Sequence, residues 1–148
     1  MRAFNLKLPV KKKRASRPRG ERIEIMHPYQ LWQTDMTKIW VKGTGWMYFF
    51  AIIDCFTREI VGCCFSLFAS AGEALKALEM AVDNHFPVGI PESIELTLNS
   101  DNGCQFGARK FQSAVKAFSF TFTQTAYNTP EDNAYIESFF GKFKEEEV

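Results

Sequence analysis

Histidine is nearly missing from this chain: His27 and His85 are its two imidazoles, and its four cysteines, Cys55, Cys63, Cys64 and Cys104, contain no C-x-x-C spacing. These shortages argue against zinc, whose structural sites draw on four Cys or His ligands at short, regular intervals. Nor does the even cysteine count announce disulfides, because the amino terminus lacks the apolar stretch of a secretory leader. Reduced, buried thiols are the expected state. Long hydrophobic runs are lacking too. The longest, around Trp46 to Ile53, falls far short of the roughly 20 residues a membrane helix needs, so a soluble, cytoplasmic protein is expected. The sequence has no internal repeat, and with 46% apolar and 15% aromatic residues it does not have the composition of a disordered chain. Its 148 residues allow one buried core and little more.

What is present is unevenly distributed. The first 22 residues hold nine of the 18 Lys and Arg against Glu21 alone, so the remaining residues carry nine basic and sixteen acidic side chains. The basic segment is interrupted by Pro9, Pro18, Gly20 and Pro28, which predicts a flexible arm or linker over residues 1–28 ahead of a folded domain over residues 29–148. A basic arm on an acidic globule suggests a polyanionic partner, since Lys and Arg release counterions from nucleic acid. Lys11, Lys12, Lys13 and Arg14 are the candidate contacts, and a solvated linker is the alternative reading.

Within the domain, LWQTDMTKIWV (31–41) has the aromatic and β-branched content of a strand, with Gln33, Asp35, Thr37 and Ile39 sharing one side. After a turn at Gly43 and Gly45, WMYFFAIID (46–54) is apolar almost throughout, the mark of a strand buried on both faces. EIVGCCFSLF (59–68) completes an antiparallel meander. Ser70 and Glu73 predict a capping box at the start of a helix that runs until Pro87. SIELTLNSD (93–101) predicts a fourth strand, residues 106–118 a helix, FTFTQT (120–125) a fifth strand, and a last helix begins near Pro130. The fold class that follows is α/β, with a five-stranded mixed sheet, three antiparallel strands first, and flanking helices.

Three carboxylates stand out against that order. Asp35 lies mid-strand, where a charge is costly without a metal or a partner. Asp101 sits at a strand's carboxyl end in NSDNGCQF, ahead of a tight turn, and Glu137 borders the apolar stripe of Ile136, Phe139, Phe140 and Phe143. Such a trio suits Mg²⁺ or Mn²⁺, which prefer carboxylate oxygens. Two ions roughly 4 Å apart, bridged by Asp35, would serve an in-line displacement at phosphorus. The rival, Asp54 in DCFTRE, reads better as a turn residue that bonds the local backbone or pairs with Arg58. Asp132 in the Pro130, Glu131, Asp132 entry reads as a helix cap.

The segments WQTDMTKIW, NSDNGCQF and DNAYIESFFGKFKEE resemble, in order, the signature blocks of the retroviral-integrase-like catalytic core of bacterial insertion-sequence transposases. The thirty-five residues between Asp101 and Glu137 match the spacing of that family's acidic triad. The resemblance implies a ribonuclease-H-like fold, with Asp35, Asp101 and Glu137 as catalytic and metal-binding residues. It implies metal-dependent cleavage of DNA at transposon ends and strand transfer into target DNA. It further implies action as a homo-oligomer on DNA in the bacterial nucleoid, with a separate helix-turn-helix transposase subunit as a possible partner. Lys144, seven residues after Glu137 and so on the same helix face, matches a basic DNA-contacting position of the family. Asn133, Tyr127 and Asn128 are further candidate DNA contacts, with helix-start and loop roles as alternatives. The chain ends eleven residues after Glu137, so a core truncated at its C-terminal end is expected. A non-catalytic DNA-binding remnant and a ribonuclease-H-like nuclease without strand transfer are the competing functions.

Overall fold

The computed structural model describes residues 24–101, 103–124 and 134–147. The arm residues Lys11, Lys12, Lys13 and Arg14, the loop residues Tyr127 and Asn128, and Asn133 and Asp132 lie outside them. Strands β1 (Leu31–Val41), β2 (Gly45–Asp54) and β3 (Ile60–Ser66) form the antiparallel meander, and helix α1 (Ala71–His85) follows. Strand β4 (Thr97–Ser100), helices α2 (Cys104–Gly107) and α3 (Arg109–Ala117), strand β5 (Thr121–Gln124) and helix α4 (Ala134–Glu147) complete the order. The sheet runs β3-β2-β1-β4-β5, with β4 parallel to both β1 and β5.

The long hairpin is set by its turn: Gly43 and Gly45 adopt φ of 86° and 100°, a region that L side chains rarely enter. Val41 therefore faces Gly45, and the pairing continues unbroken to Trp32 opposite Asp54. At the next corner the Asp54 carboxylate accepts hydrogen bonds from the backbone N–H groups of Tyr29, Phe56 and Thr57 and from Trp32 Nε1, at 2.8–3.2 Å. Four donors satisfy this buried group, so Asp54 organises the turn, as its sequence context suggests. Arg58 instead donates through Nε to the Cys55 carbonyl at 3.0 Å.

Strand alternation sorts the apolar side chains onto two faces. Trp32, Phe50 and Ile52 join Ala77, Leu78 and Ala81 of α1 and Phe111 and Val115 of α3 in one buried cluster. Phe49, Ala51 and Ile53 face the other way and pack with Ile136 and Phe140 of α4. β2 is thus buried on both sides, as its unbroken apolar run predicts. At Gly62 a Cβ would collide with the Ala77 carbonyl oxygen and stand 2.8 Å from Ala81 N, so α1 crosses β3 at backbone contact.

Three local expectations are corrected. No side-chain capping box forms at Ser70: its carbonyl takes the N–H groups of Glu73 and Ala74, while the Glu73 carboxylate turns to Lys76 Nζ at 3.5 Å. The helix expected over residues 106–118 is broken at Ala108, which is extended with ψ of 145°. The break lets Phe106 and Phe111 both enter the core with ring centroids 5.5 Å apart, which five-residue spacing on a continuous helix would prevent. β4 is shorter than 93–101 because its partners offer only Leu31 to Thr34 on one side and Thr121 to Gln124 on the other.

Candidate active site

Asp35 occupies β1 one position beyond the last parallel pair, Thr34 with Ser100. Because β4 ends there, the next residue of each strand is a carboxylate, and the register brings Asp35 and Asp101 side by side. The Asp101 backbone is held after the strand stops: Ser100 Oγ and Gln124 Nε2 donate to its carbonyl at 2.9 and 3.3 Å. Its Oδ1 accepts the Gly103 N–H at 2.9 Å. A Cβ at Gly103 would lie 3.1 Å from that same oxygen and 2.8 Å from Gln105 Nε2, so a larger residue there would have to displace the Gln105 amide and press on the Asp101 carboxylate.

The third carboxylate arrives from the opposite layer. In α4, Ile136 and Phe140 are buried against the sheet, and Glu137 follows Ile136 at the border of that contact. The electrostatic coupling is strongest between Asp35 and Asp101, with Glu137 the smallest contributor at Asp35. Burial raises the Asp35 carboxyl from its ordinary 3.8 to about 8, aided by the charge of Asp101, a hydrogen bond with Asp101 and the charge of Glu137. The Met36 N–H, 2.7 Å from Asp35 Oδ1, works in the opposite direction. Glu137 is also pushed upward, first by burial and then by Asp101. Without a cation, like charges this close cannot all ionise near neutral pH, and a proton stays on the cluster.

The donor set is oxygen throughout, with no imidazole or thiolate, which fits a hard divalent ion such as Mg²⁺ or Mn²⁺ and not zinc. Among the described residues no three Asp, Glu, His or Cys side chains stand close enough together to form a metal-holding group, so the structure pairs Asp35 with Asp101 and leaves Glu137 outside a ready-made site. Lys144 is exposed on α4, two turns beyond Glu137.

Two contacts at this site were not singled out from sequence. Gln33, only 2% exposed, accepts the Ile136 N–H through its Oε1 at 3.2 Å. The Arg58 guanidinium stands 4.1 Å from the centre of the Tyr135 ring. Position 33 shares the strand face of Asp35, a signal the sequence does carry. Nothing in the sequence pairs Arg58 with Tyr135.

A five-stranded mixed sheet in this order, with helices on both faces, is the ribonuclease-H-like fold. Solved structures agree. The intasome of simian T-cell lymphotropic virus, in complex with PP2A regulatory subunit B56 gamma, superposes with a TM-score of 0.63 at 23% identity, covering 77% of this chain and 38% of that one. The HTLV-2 integrase catalytic core domain in complex with magnesium gives 0.61 at 20% identity, covering 80% and 69%.

The chain belongs to the integrase core domain family, whose pattern it matches over residues 26–130. Asp35 and Asp101 fall inside that match, and Glu137 lies beyond its end. The chain is 29% identical over 157 aligned positions to InsK of Escherichia coli, named as a transposase of insertion sequence element IS150, across 99% of this chain and 53% of InsK. It is 29% identical over 119 positions to the transposase InsF for insertion sequence IS3A of the same organism, across 80% of this chain and 39% of InsF. The chain thus spans about half the length of InsK. Among the described residues no helix is long and apolar enough to cross a membrane.

Proposed function

We propose that this chain is the catalytic core of a DNA transposase, cutting phosphodiesters at transposon ends and joining the exposed 3′-hydroxyl to target DNA. What supports this reading is the strand register that sets Asp35 beside Asp101 where β4 ends, with the charge of Glu137 on α4 felt at Asp35, in a chain of the integrase core family. In this reading residues 29–148 form the core and residues 1–28 a basic arm that follows the DNA backbone.

Asp35, Asp101 and Glu137 would hold Mg²⁺ or Mn²⁺, two ions in the full site. Bound there, divalent ions supply Lewis acidity to the attacking and leaving oxygens. The protein's own part is charge and position. Asp35, whose proton affinity burial raises, would bind a divalent ion as the carboxylate. Asp101 keeps its orientation through the Gly103 N–H. In the first step a water oxygen bonds to phosphorus, the P–O3′ bond breaks, and the leaving oxygen takes a proton. In the second, that 3′-hydroxyl attacks a target phosphodiester and one P–O bond replaces another, so no covalent enzyme intermediate is required.

Lys144, on the face of Glu137, is placed in this reading against a phosphate, with Asn133, Tyr127 and Asn128 as further DNA contacts. The working form is a homo-oligomer joining two DNA ends, served by a helix-turn-helix subunit where the transposon encodes one separately.

The test is Mg²⁺- and Mn²⁺-dependent nicking and strand transfer on oligonucleotides bearing the transposon's own ends, with Asp101→Asn as control. A loss of about 100-fold or more is expected in the variant, since even outer partners of metal sites cost 10–100-fold. A folded chain that binds those ends yet gives no product above the variant's background would reject the catalytic reading and favour a DNA-binding remnant. Nicking without strand transfer would favour a ribonuclease-H-like nuclease.

A further inference from the structure

The first N–H groups of a helix have no acceptor within the helix and are usually met by a side-chain oxygen just before it in sequence. In α4, which begins at Ala134, the third residue, Ile136, donates its N–H to Gln33 Oε1, a partner 103 positions away on β1. Gln33 and Asp35 project from the same face of that strand, and Ile136 immediately precedes Glu137. One hydrogen bond thus connects the strand that carries one carboxylate to the helix that carries another. From a different element, the turn after β2, Arg58 lays its guanidinium 4.1 Å from the centre of the Tyr135 ring while its Nε is fixed on the Cys55 carbonyl. Consecutive residues at the start of α4 are therefore secured on two sides.

We infer that Gln33 is a positioning residue that sets the placement of Glu137 relative to Asp35, with the Arg58–Tyr135 stack as a second strap. The inference rests on the reading of Asp35, Asp101 and Glu137 as the metal-binding carboxylates. The residue type supports it. An amide presents the acceptor oxygen a capping role needs without adding a fourth negative charge to a crowded site, and a carboxylate at position 33 would add one. The need for such straps is also visible: α4 packs on the sheet through a small cluster, with Ile136 and Phe140 as its buried members.

The experiment compares the full chain with Gln33→Met, which keeps the volume and removes the acceptor, by hydrogen exchange of the amides and by Mn²⁺ calorimetry as well as by nicking. At least tenfold faster exchange is expected at residues 135–140, with β1, β2, β3 and α1 unchanged, and Mn²⁺ affinity should fall about 10–100-fold. Nicking should decline and recover in part at raised Mn²⁺. Arg58→Lys, which keeps the charge but loses the planar stack, should move the same readouts less, and Tyr135→Phe should leave them unmoved. If folded Gln33→Met leaves α4 exchange and Mn²⁺ affinity at wild-type values, the positioning role is wrong. Should Gln33→Met not fold, Tyr135→Ala decides, with selective loosening of α4 supporting the inference and its absence overturning it. A wild-type chain that never nicks DNA would reject the catalytic reading while leaving the exchange result to judge how α4 is held.

Discussion

On the sheet face covered by α1 and α3, sixteen buried side chains from Trp32 to Phe120 form a single cluster. On the face covered by α4 the corresponding cluster among the described residues has six. The first face meets its helix so closely that Gly62 leaves no room for a Cβ. The second carries Asp35 and Gln33 on its strand and Glu137 at its edge, and its aromatic side chains are partly open: Phe65 is 48% exposed beside Phe49 and Phe143. Apolar burial stabilises roughly in proportion to area, so the α1 face is the main source of fold stability. The α4 face gives up part of that burial to carry charged groups, which the proposed function would place near substrate.

Core truncation should separate the two faces most sharply. Leu78→Ala in α1 should destabilise by about 2–5 kcal/mol and leave metal-dependent nicking, measured well below the melting point, within about twofold of wild type. Phe140→Ala in α4 should destabilise by about 3–5 kcal/mol and also depress nicking at the same temperature. Equal loss of activity in both would remove the distinction between the faces.

The next effect is one of pH. The Asp35 carboxyl sits near 8 in the folded metal-free chain against an ordinary 3.8, so between those values the folded state holds a proton that the unfolded state has released. The contribution of Asp35 to metal-free stability should therefore be fully present below about pH 4 and be lost as pH rises through about 8. Asp35→Asn removes that dependence. Its melting temperature should equal wild type near pH 4 and exceed it by a few degrees at pH 8, with Mg²⁺ stabilising wild type more than the variant. Thermal melts with and without chelator measure both, and a Tm difference between Asp35→Asn and wild type that does not grow between pH 4 and 8 without metal would contradict the assignment.

The smallest expected effect lies at the far end of α4. Lys144→Ala should leave stability unchanged within about 0.5 kcal/mol and lower the magnitude of the log–log salt slope of DNA binding by about 1. An unaltered slope would make Lys144 an ordinary solvated side chain.

Much of the molecule was legible along the chain because the signals are local. Period-two alternation and unbroken apolar runs located β1, β2 and β3, glycines marked the first hairpin, and the turn role of Asp54 followed from its corner position. Where a tertiary demand outweighed local preference the reading failed, as at Ser70, whose side chain caps nothing, and at Ala108, where burial of two phenylalanines outweighed helix continuity.

By itself the sequence determined the order of the strands, the burial of β2 on both faces and the choice of three candidate carboxylates, because residue type and spacing act over a few residues at a time. Only the tertiary structure decided that β4 stops beside β1 at Thr34 and Ser100, which sets Asp101 next to Asp35, whose own proton affinity is raised by burial and then by the Asp101 charge. It alone decided that Gln33 meets Ile136 and Arg58 meets Tyr135. Those contacts join elements remote in sequence, and strand pairing and packing across layers, not local propensity, choose such partners.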